Sequence, residues 1–146
     1  MGNSGDIERQ APIRSKVGAY WIVTGLLVAE LLAGGIWDVA RTRHVVEVVT
    51  QLGYPAYILT IVGVWKLLAV PALVSPRLPL LKEWAYAGIF FEMTGAAVSH
   101  MACGGGPEVI VTLVTAALAV ISWWLRPQSR RPGGIAAAAA GALEAR

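Results

Sequence analysis

The amino-acid sequence predicts an all-α integral membrane protein, a four-helix bundle with a short interfacial helix between the first two spans. Its 146 residues are 56% hydrophobic and only 14% charged, and the mean hydropathy is +0.61. These values are far from those of a soluble domain and typical of a small integral membrane protein. Four apolar segments are separated by shorter polar connections, so one membrane domain, residues 17–125, accounts for most of the chain.

The first apolar segment, residues 17–37, follows a polar tail of residues 1–16 that we expect to be mobile and cytoplasmic. The tail has no apolar run before its basic residues, unlike a cleavable signal peptide. At about 1.5 Å per residue, the segment reaches roughly 31 Å, enough to cross the hydrocarbon core. It is interrupted only by Glu30, and its small residues predict a helix-packing ridge at Gly25, Ala29 and Ala33.

The connection of residues 38–55 is too short and too polar to cross a membrane. Its valines recur at helical spacing, which predicts an interfacial helix that ends near Gly53 and Pro55. His44 lies in this helix, where we expect a solvated side chain rather than a ligand.

The second span, residues 56–74, carries Lys66 at its midpoint, and Pro71 is expected to kink it near its far end. The fourth span, residues 108–125, has no charge inside it. Residues 126–146 are basic and then alanine-rich, and their apolar part is too short to cross again. We therefore predict that they form a second cytoplasmic tail.

The third span lies within residues 82–106 and carries two polar side chains, Glu92 and His100, on one helical stripe. A bilayer offers a carboxylate no solvent, so this stripe is expected to face the protein interior. Its small residues should let a neighbouring backbone approach closely; they are Gly88, Gly95 and Ala96. Glu92, Ser99 and His100 form a candidate ligand or proton site, and the alternative is that Glu92 and His100 are polar contacts between helices.

Three charged residues from three spans are expected to meet near the middle of the bilayer. Counted along each helix, Glu30, Lys66 and Glu92 lie roughly 18, 15 and 12 Å from the inner face. The sequence thus predicts a buried charge cluster of Glu30, Lys66 and Glu92. One lysine cannot neutralise two carboxylates, so one of the acids is expected to hold a proton or to contact a hydroxyl, water or ligand.

The basic residues predict that both termini are cytoplasmic. Nine of them then lie on the inner side, including Lys82, which we expect at the surface, and only Arg41 and Arg43 lie outside. Since lipid orientation accounts for the positive charge, no nucleic-acid partner is expected.

Several chemistries are excluded by residue type. Cys103 is the only cysteine, so there is no internal disulfide, no CxxC redox centre and no metal site of several cysteines. The chain has no recognisable nucleophile with its base, no phosphate loop and no set of metal ligands, and it has no haem or flavin motif. These observations favour a non-catalytic role, and any redox role would need a partner protein.

Between residues 17 and 125 the chain strongly resembles the DoxX-like family of small bacterial four-helix membrane proteins. The resemblance depends on LGYP, on the spacing from it to Lys66, on the prolines before KEWAYAG, and on the run FFEMTGAAVSH, in which Glu92 stands where relatives often have Asp. It implies a four-helix fold and a bacterial inner-membrane location, with a loose link to quinone-associated redox complexes such as a thiosulfate:quinone oxidoreductase. The positions it points to are Glu30, Tyr54, Pro55, Lys66, Lys82, Glu83, Trp84, Ala85, Tyr86, Glu92, Ser99 and His100.

Three functions remain open from the sequence. The first is a non-catalytic membrane subunit or scaffold that binds a membrane or redox partner protein. The second is a quinone-associated subunit of a membrane redox complex, in which Lys66 or His100 bonds a quinone carbonyl and Glu92 exchanges protons. The third is a binder or carrier of a small apolar molecule. The family resemblance itself implies no activity.

Overall fold

The computed structural model describes residues 4–127, 130, 131 and 133, and in this part of the chain it contains helices and no strands. Five α-helices follow one another along the chain: α1 (Ser4–Val39), α2 (Arg43–Gln51), α3 (Tyr57–Val74), α4 (Pro79–Ala102) and α5 (Pro107–Leu125). The predicted all-α class is confirmed.

The four long helices pack around a common core. α1 lies against α3 and α5, and α4 lies against α5 and α3, so the contacts form a closed ring. The short helix α2 connects the first two long helices and touches α3. Its position in the chain agrees with the short helix expected between the first two spans.

Within the described residues, three helices are long and apolar enough to cross a membrane, namely Ser15–Val39, Tyr57–Val74 and Pro107–Leu125. Many of their large apolar side chains point away from the bundle; Ile22, Trp65 and Ile110 are each about two-thirds exposed. Such an extensive apolar surface is typical of a protein embedded in lipid. α4 has 24 residues, a sufficient length, but its charged side chains lower its hydropathy.

The core between the long helices is apolar and includes a close approach of two backbones. Its buried members come from all four long helices: Leu27, Leu31, Ala69, Leu73, Tyr86, Ile89, Met93, Ala116 and Ala119. A Cβ atom added to Gly63 would lie 2.9 Å from the carbonyl oxygen of Gly35. Glycine at these two positions therefore allows α1 and α3 to pack closely.

The predicted small-residue packing surfaces were wrong. A Cβ atom added to Gly25, Gly88 or Gly95 would have no neighbour within 4 Å, and Ala29 is exposed. The buried face of α4 carries larger side chains instead, among them Ile89 and Met93. The close contact between helices is instead made by Gly35 and Gly63. The helices pack through different faces from the ones that carry the predicted small residues.

The end of the bundle where α3 ends and α4 begins also differs from expectation. Lys82 is only 1% exposed and donates a hydrogen bond of 2.8 Å to the carbonyl oxygen of Ser75, so the expected surface position was wrong. Arg126, assigned to a tail, is buried and forms an ion pair with Glu83. Glu83 also accepts a 2.7 Å hydrogen bond from the indole of Trp123. These contacts attach the end of α5 to the start of α4.

The two predicted tails have different outcomes. α1 begins at Ser4, so the backbone of residues 4–16 is helical and continuous with the first span, in contrast to the mobile tail that the sequence suggested. Most of the second tail, residues 128, 129, 132 and 134–146, lies outside the described residues.

Candidate ligand cavity

A cluster of ionisable side chains connects α1, α3 and α4. The ammonium nitrogen of Lys66 on α3 lies 2.8 Å from a carboxylate oxygen of Asp38 on α1 and 3.3 Å from one of Glu92 on α4. The Lys66 side chain is 12% exposed and that of Asp38 is 8% exposed. The expected proximity of Lys66 and Glu92 is therefore present as an ion pair.

Glu30 lies beside this cluster without a direct ion pair to Lys66. A Cβ atom added to Gly34 would lie 3.6 Å from a carboxylate oxygen of Glu30 and 3.7 Å from the Lys66 nitrogen. The other carboxylate oxygen of Glu30 is buried and has no hydrogen-bond partner among the described residues. The structure thus brings together the three residues of the predicted cluster and adds Asp38.

Asp38 was missed because it follows the last apolar residue of the first segment and was therefore assigned to the connection. The helix continues through it to Val39. Glu30, Gly34 and Asp38 are spaced four residues apart, which places them on one helical face. That spacing is a signal from which the position of Asp38 could have been predicted.

The cluster lines a cavity of about 860 Å³. The cavity walls are mainly apolar and include the aromatic side chains of Trp37, Tyr54 and Phe91. This volume and the combination of apolar walls with a few converging polar groups are typical of small-molecule sites.

The short helix α2 forms part of the cavity wall. Val45, Val48 and Val49 of α2 line the cavity, while Arg43 and Glu47 form an ion pair on the exposed face. The helix is therefore amphipathic with its apolar face turned inward. His44 is exposed as expected, although it borders the cavity opening.

Glu92, Ser99 and His100, the candidate ligand or proton site, all line this cavity. The Ser99 hydroxyl donates to the carbonyl oxygen of Gly95 at 3.0 Å, so it accepts the 2.9 Å hydrogen bond from the hydroxyl of Tyr54. His100 also lines a smaller neighbouring cavity of about 310 Å³. Within the described residues, no group of three histidine, cysteine or acidic side chains is arranged to hold a metal ion.

The model of the DoxX-like family matches residues 22–122, more than half of the 146 residues. The chain belongs to the DoxX-like family. The matched region contains the whole charged cluster and the cavity residues Ser99 and His100. No curated protein and no solved structure matches the chain.

An apolar layer separates the cavity of this DoxX-like protein from a second polar layer, which lies nearer the end where α3 ends and α4 begins. There, Ser122 Oγ lies 2.7 Å from the hydroxyl of Thr24 and 2.7 Å from that of Tyr86. Thr24 is six residues from Glu30, roughly 9 Å along α1, and the intervening Leu27 is fully buried. The cavity is thus bounded by close-packed side chains on its inner side.

Proposed function

We propose that this DoxX-like protein is a small multi-pass membrane protein without a catalytic role of its own, which binds a small, largely apolar molecule in the cavity. The observation that carries this proposal is a mainly apolar cavity of about 860 Å³ whose lining includes the converging groups of Lys66, Asp38 and Glu92. The apolar walls would exclude water from the ligand body, and the polar groups would orient the ligand.

The proposed topology has four membrane crossings with both termini in the cytoplasm. α4 is 24 residues long and lies between α3 and α5, against both of which it packs. Since α3 and α5 are each long and apolar enough to cross, a helix packed along both would cross with them. Its polar side chains then face the cavity or the helix ends rather than lipid.

A non-catalytic subunit or scaffold for a membrane partner protein is the second candidate. It is favoured by the ion pairs of Lys66 with Asp38 and Glu92, which fix three helices relative to one another and require no ligand. A partner would then bind the outward apolar surface of the bundle, and the cavity would hold lipid or nothing.

A quinone-associated subunit is a narrower form of the ligand-binding proposal. His100 lines the cavity and is a possible donor to a quinone carbonyl. The Lys66 ammonium, the other donor considered, is already engaged by two carboxylates. An oxidised quinone offers only acceptors to a cluster that is already rich in acceptors, whereas its quinol carries two hydroxyl donors. The cluster itself thus favours the quinol over the quinone and, more generally, a ligand with a hydrogen-bond donor or a positive charge.

The test is native mass spectrometry of the protein released from a mild detergent, together with identification of any small molecule and any protein that copurifies. Ala96→Trp would fill the cavity from α4, and Val98→Trp is its matched control because Val98 is 60% exposed on the outside of the same helix. We expect a bound apolar molecule in the wild type and in the control but not in Ala96→Trp. An empty wild type with a stoichiometric partner protein would instead support the scaffold.

A further inference from the structure

The charges that line the cavity are strongly unequal, and this imbalance specifies the proposed ligand more closely. Among the described residues, the lining contains one ammonium group, that of Lys66, two imidazoles, those of His44 and His100, and four carboxyl groups; these belong to Glu30, Asp38, Glu92 and Glu108. Lys66 pairs directly with Asp38 and Glu92. The cavity is therefore rich in acidic groups, in surroundings where an uncompensated charge is costly.

Glu30 is the cavity carboxylate that most clearly lacks a hydrogen-bond donor or a counterion. It lies close to Lys66 but forms no direct ion pair with it, and one of its oxygens is buried without a hydrogen-bond partner. A buried acceptor of this kind is stabilised by any donor or positive charge that reaches it. A group supplied from the cavity would do so without breaking either ion pair of Lys66.

The cavity walls suit the body of such a ligand. Trp37, Tyr54 and Phe91 line the cavity, and aromatic rings stabilise a desolvated cation through their quadrupoles. The remaining wall is mainly aliphatic, including Val45, Val48 and Val49 of α2. The acidic groups and the aromatic and aliphatic walls therefore both favour a ligand with a positive charge and an apolar body.

We propose that the cavity binds a lipophilic cation, a molecule with an apolar or aromatic body and a single positive charge, with the charge placed beside Glu30. This inference depends on the proposed ligand-binding function and narrows its substrate class. A neutral or anionic apolar molecule would bring no positive charge to these acidic groups.

The experiment is calorimetric titration of the purified protein in a neutral detergent with tetraphenylphosphonium and with tetraphenylborate. The two ions have similar size and shape and opposite charge, and heats measured in protein-free detergent are subtracted. We expect the phosphonium to bind at least about tenfold more tightly than the borate. Glu30→Gln should weaken phosphonium binding by about tenfold or more, whereas Glu47→Gln, which removes an exposed carboxylate outside the cavity, should leave it unchanged.

The comparison of the two ions on the wild type stands even if Glu30→Gln does not fold. Equal affinity for both ions, or an unchanged affinity in a folded Glu30→Gln, would overturn the proposal. Binding of the neutral analogue tetraphenylsilane without preference for the cation would also overturn it and would leave the proposed function intact. If none of the three probes binds, both the inference and the ligand-binding function fail.

Discussion

Lys66 on α3 makes its shortest ionic contact, at 2.8 Å, with Asp38 at the end of α1. Glu30, the residue of α1 that the sequence paired with Lys66, lies eight residues earlier and forms no direct ion pair with it. The lysine therefore pairs with Asp38 and Glu92, whereas Glu30 lines the cavity without an ion pair to Lys66.

Replacement of Lys66 by methionine should destabilise the protein markedly, because it leaves the carboxylates of Asp38 and Glu92 without their counterion. Loss of one partner of a largely buried pair costs about 3 kcal/mol. Thermal melting in detergent measures the effect, with Lys16→Met as the control because Lys16 is exposed. Lys82→Met is not a suitable control, since Lys82 is buried. Similar melting temperatures for the Lys66 and Lys16 variants would contradict the prediction.

The partner of Lys66 on α1 can be identified by double-mutant cycles. We expect Lys66→Met and Asp38→Asn to be coupled by about 1–3 kcal/mol, because the two side chains are in direct contact. The matched cycle with Glu30→Gln should give a smaller coupling energy, since that carboxylate lies near Lys66 without a direct ion pair. The unfolding free energies of the single and double variants supply both values, and a larger coupling with Glu30 would be inconsistent with the structure.

Gly63→Ala should destabilise the contact between α1 and α3. The new methyl group would lie 2.9 Å from the carbonyl oxygen of Gly35 and equally close to side-chain atoms of Asp38 and Val39. Forcing such a contact in a packed region costs about 1–3 kcal/mol. Gly88→Ala is the control, because the same methyl group there has no neighbour within 4 Å. A control that melts as low as Gly63→Ala would show that the loss does not come from overpacking.

Glu83→Gln should weaken the contact between the end of α5 and the start of α4. It removes the counterion of Arg126, whose side chain is 3% exposed. Because Glu83 itself is 29% exposed, we expect a moderate cost of about 1–2 kcal/mol. Thermal melting of this variant is compared with that of Glu47→Gln, which removes an exposed pair on α2. No difference between the two would indicate that the Arg126 pair is of little importance.

Reporter fusions at residue 2 and residue 146 should both lie in the cytoplasm. Four crossings return the chain to its starting side, whereas three crossings by the helices of highest hydropathy alone would place the termini on opposite sides. The experiment therefore also tests whether α4 crosses. Cysteine labelling of Cys103, which is exposed on the connection between α4 and α5, should in turn be possible only from the outside.

Much of the secondary structure could be predicted from local pattern. α3 and α5 begin and end within about two residues of the expected spans, because long apolar runs bounded by Gly, Pro and polar residues indicate helix limits well. The limits of α1 were less accurate, since a helix in solvent can continue through polar residues that no longer contact lipid. Asp38 was lost from the predicted cluster for that reason.

The sequence by itself determined the helical class, the family, and the proximity of Lys66 and Glu92. Periodicity and hydropathy act locally along the chain, and lipid tolerates unpaired charges poorly, so charged residues at a common depth are expected to meet. Only the tertiary structure decided which faces meet. It placed the close backbone contact at Gly35 and Gly63, buried Lys82 and Arg126, and formed an open cavity lined by α2 and the long helices. Helix rotation and crossing depend on how many side chains fit together at once, and no single stripe of residues contains that information.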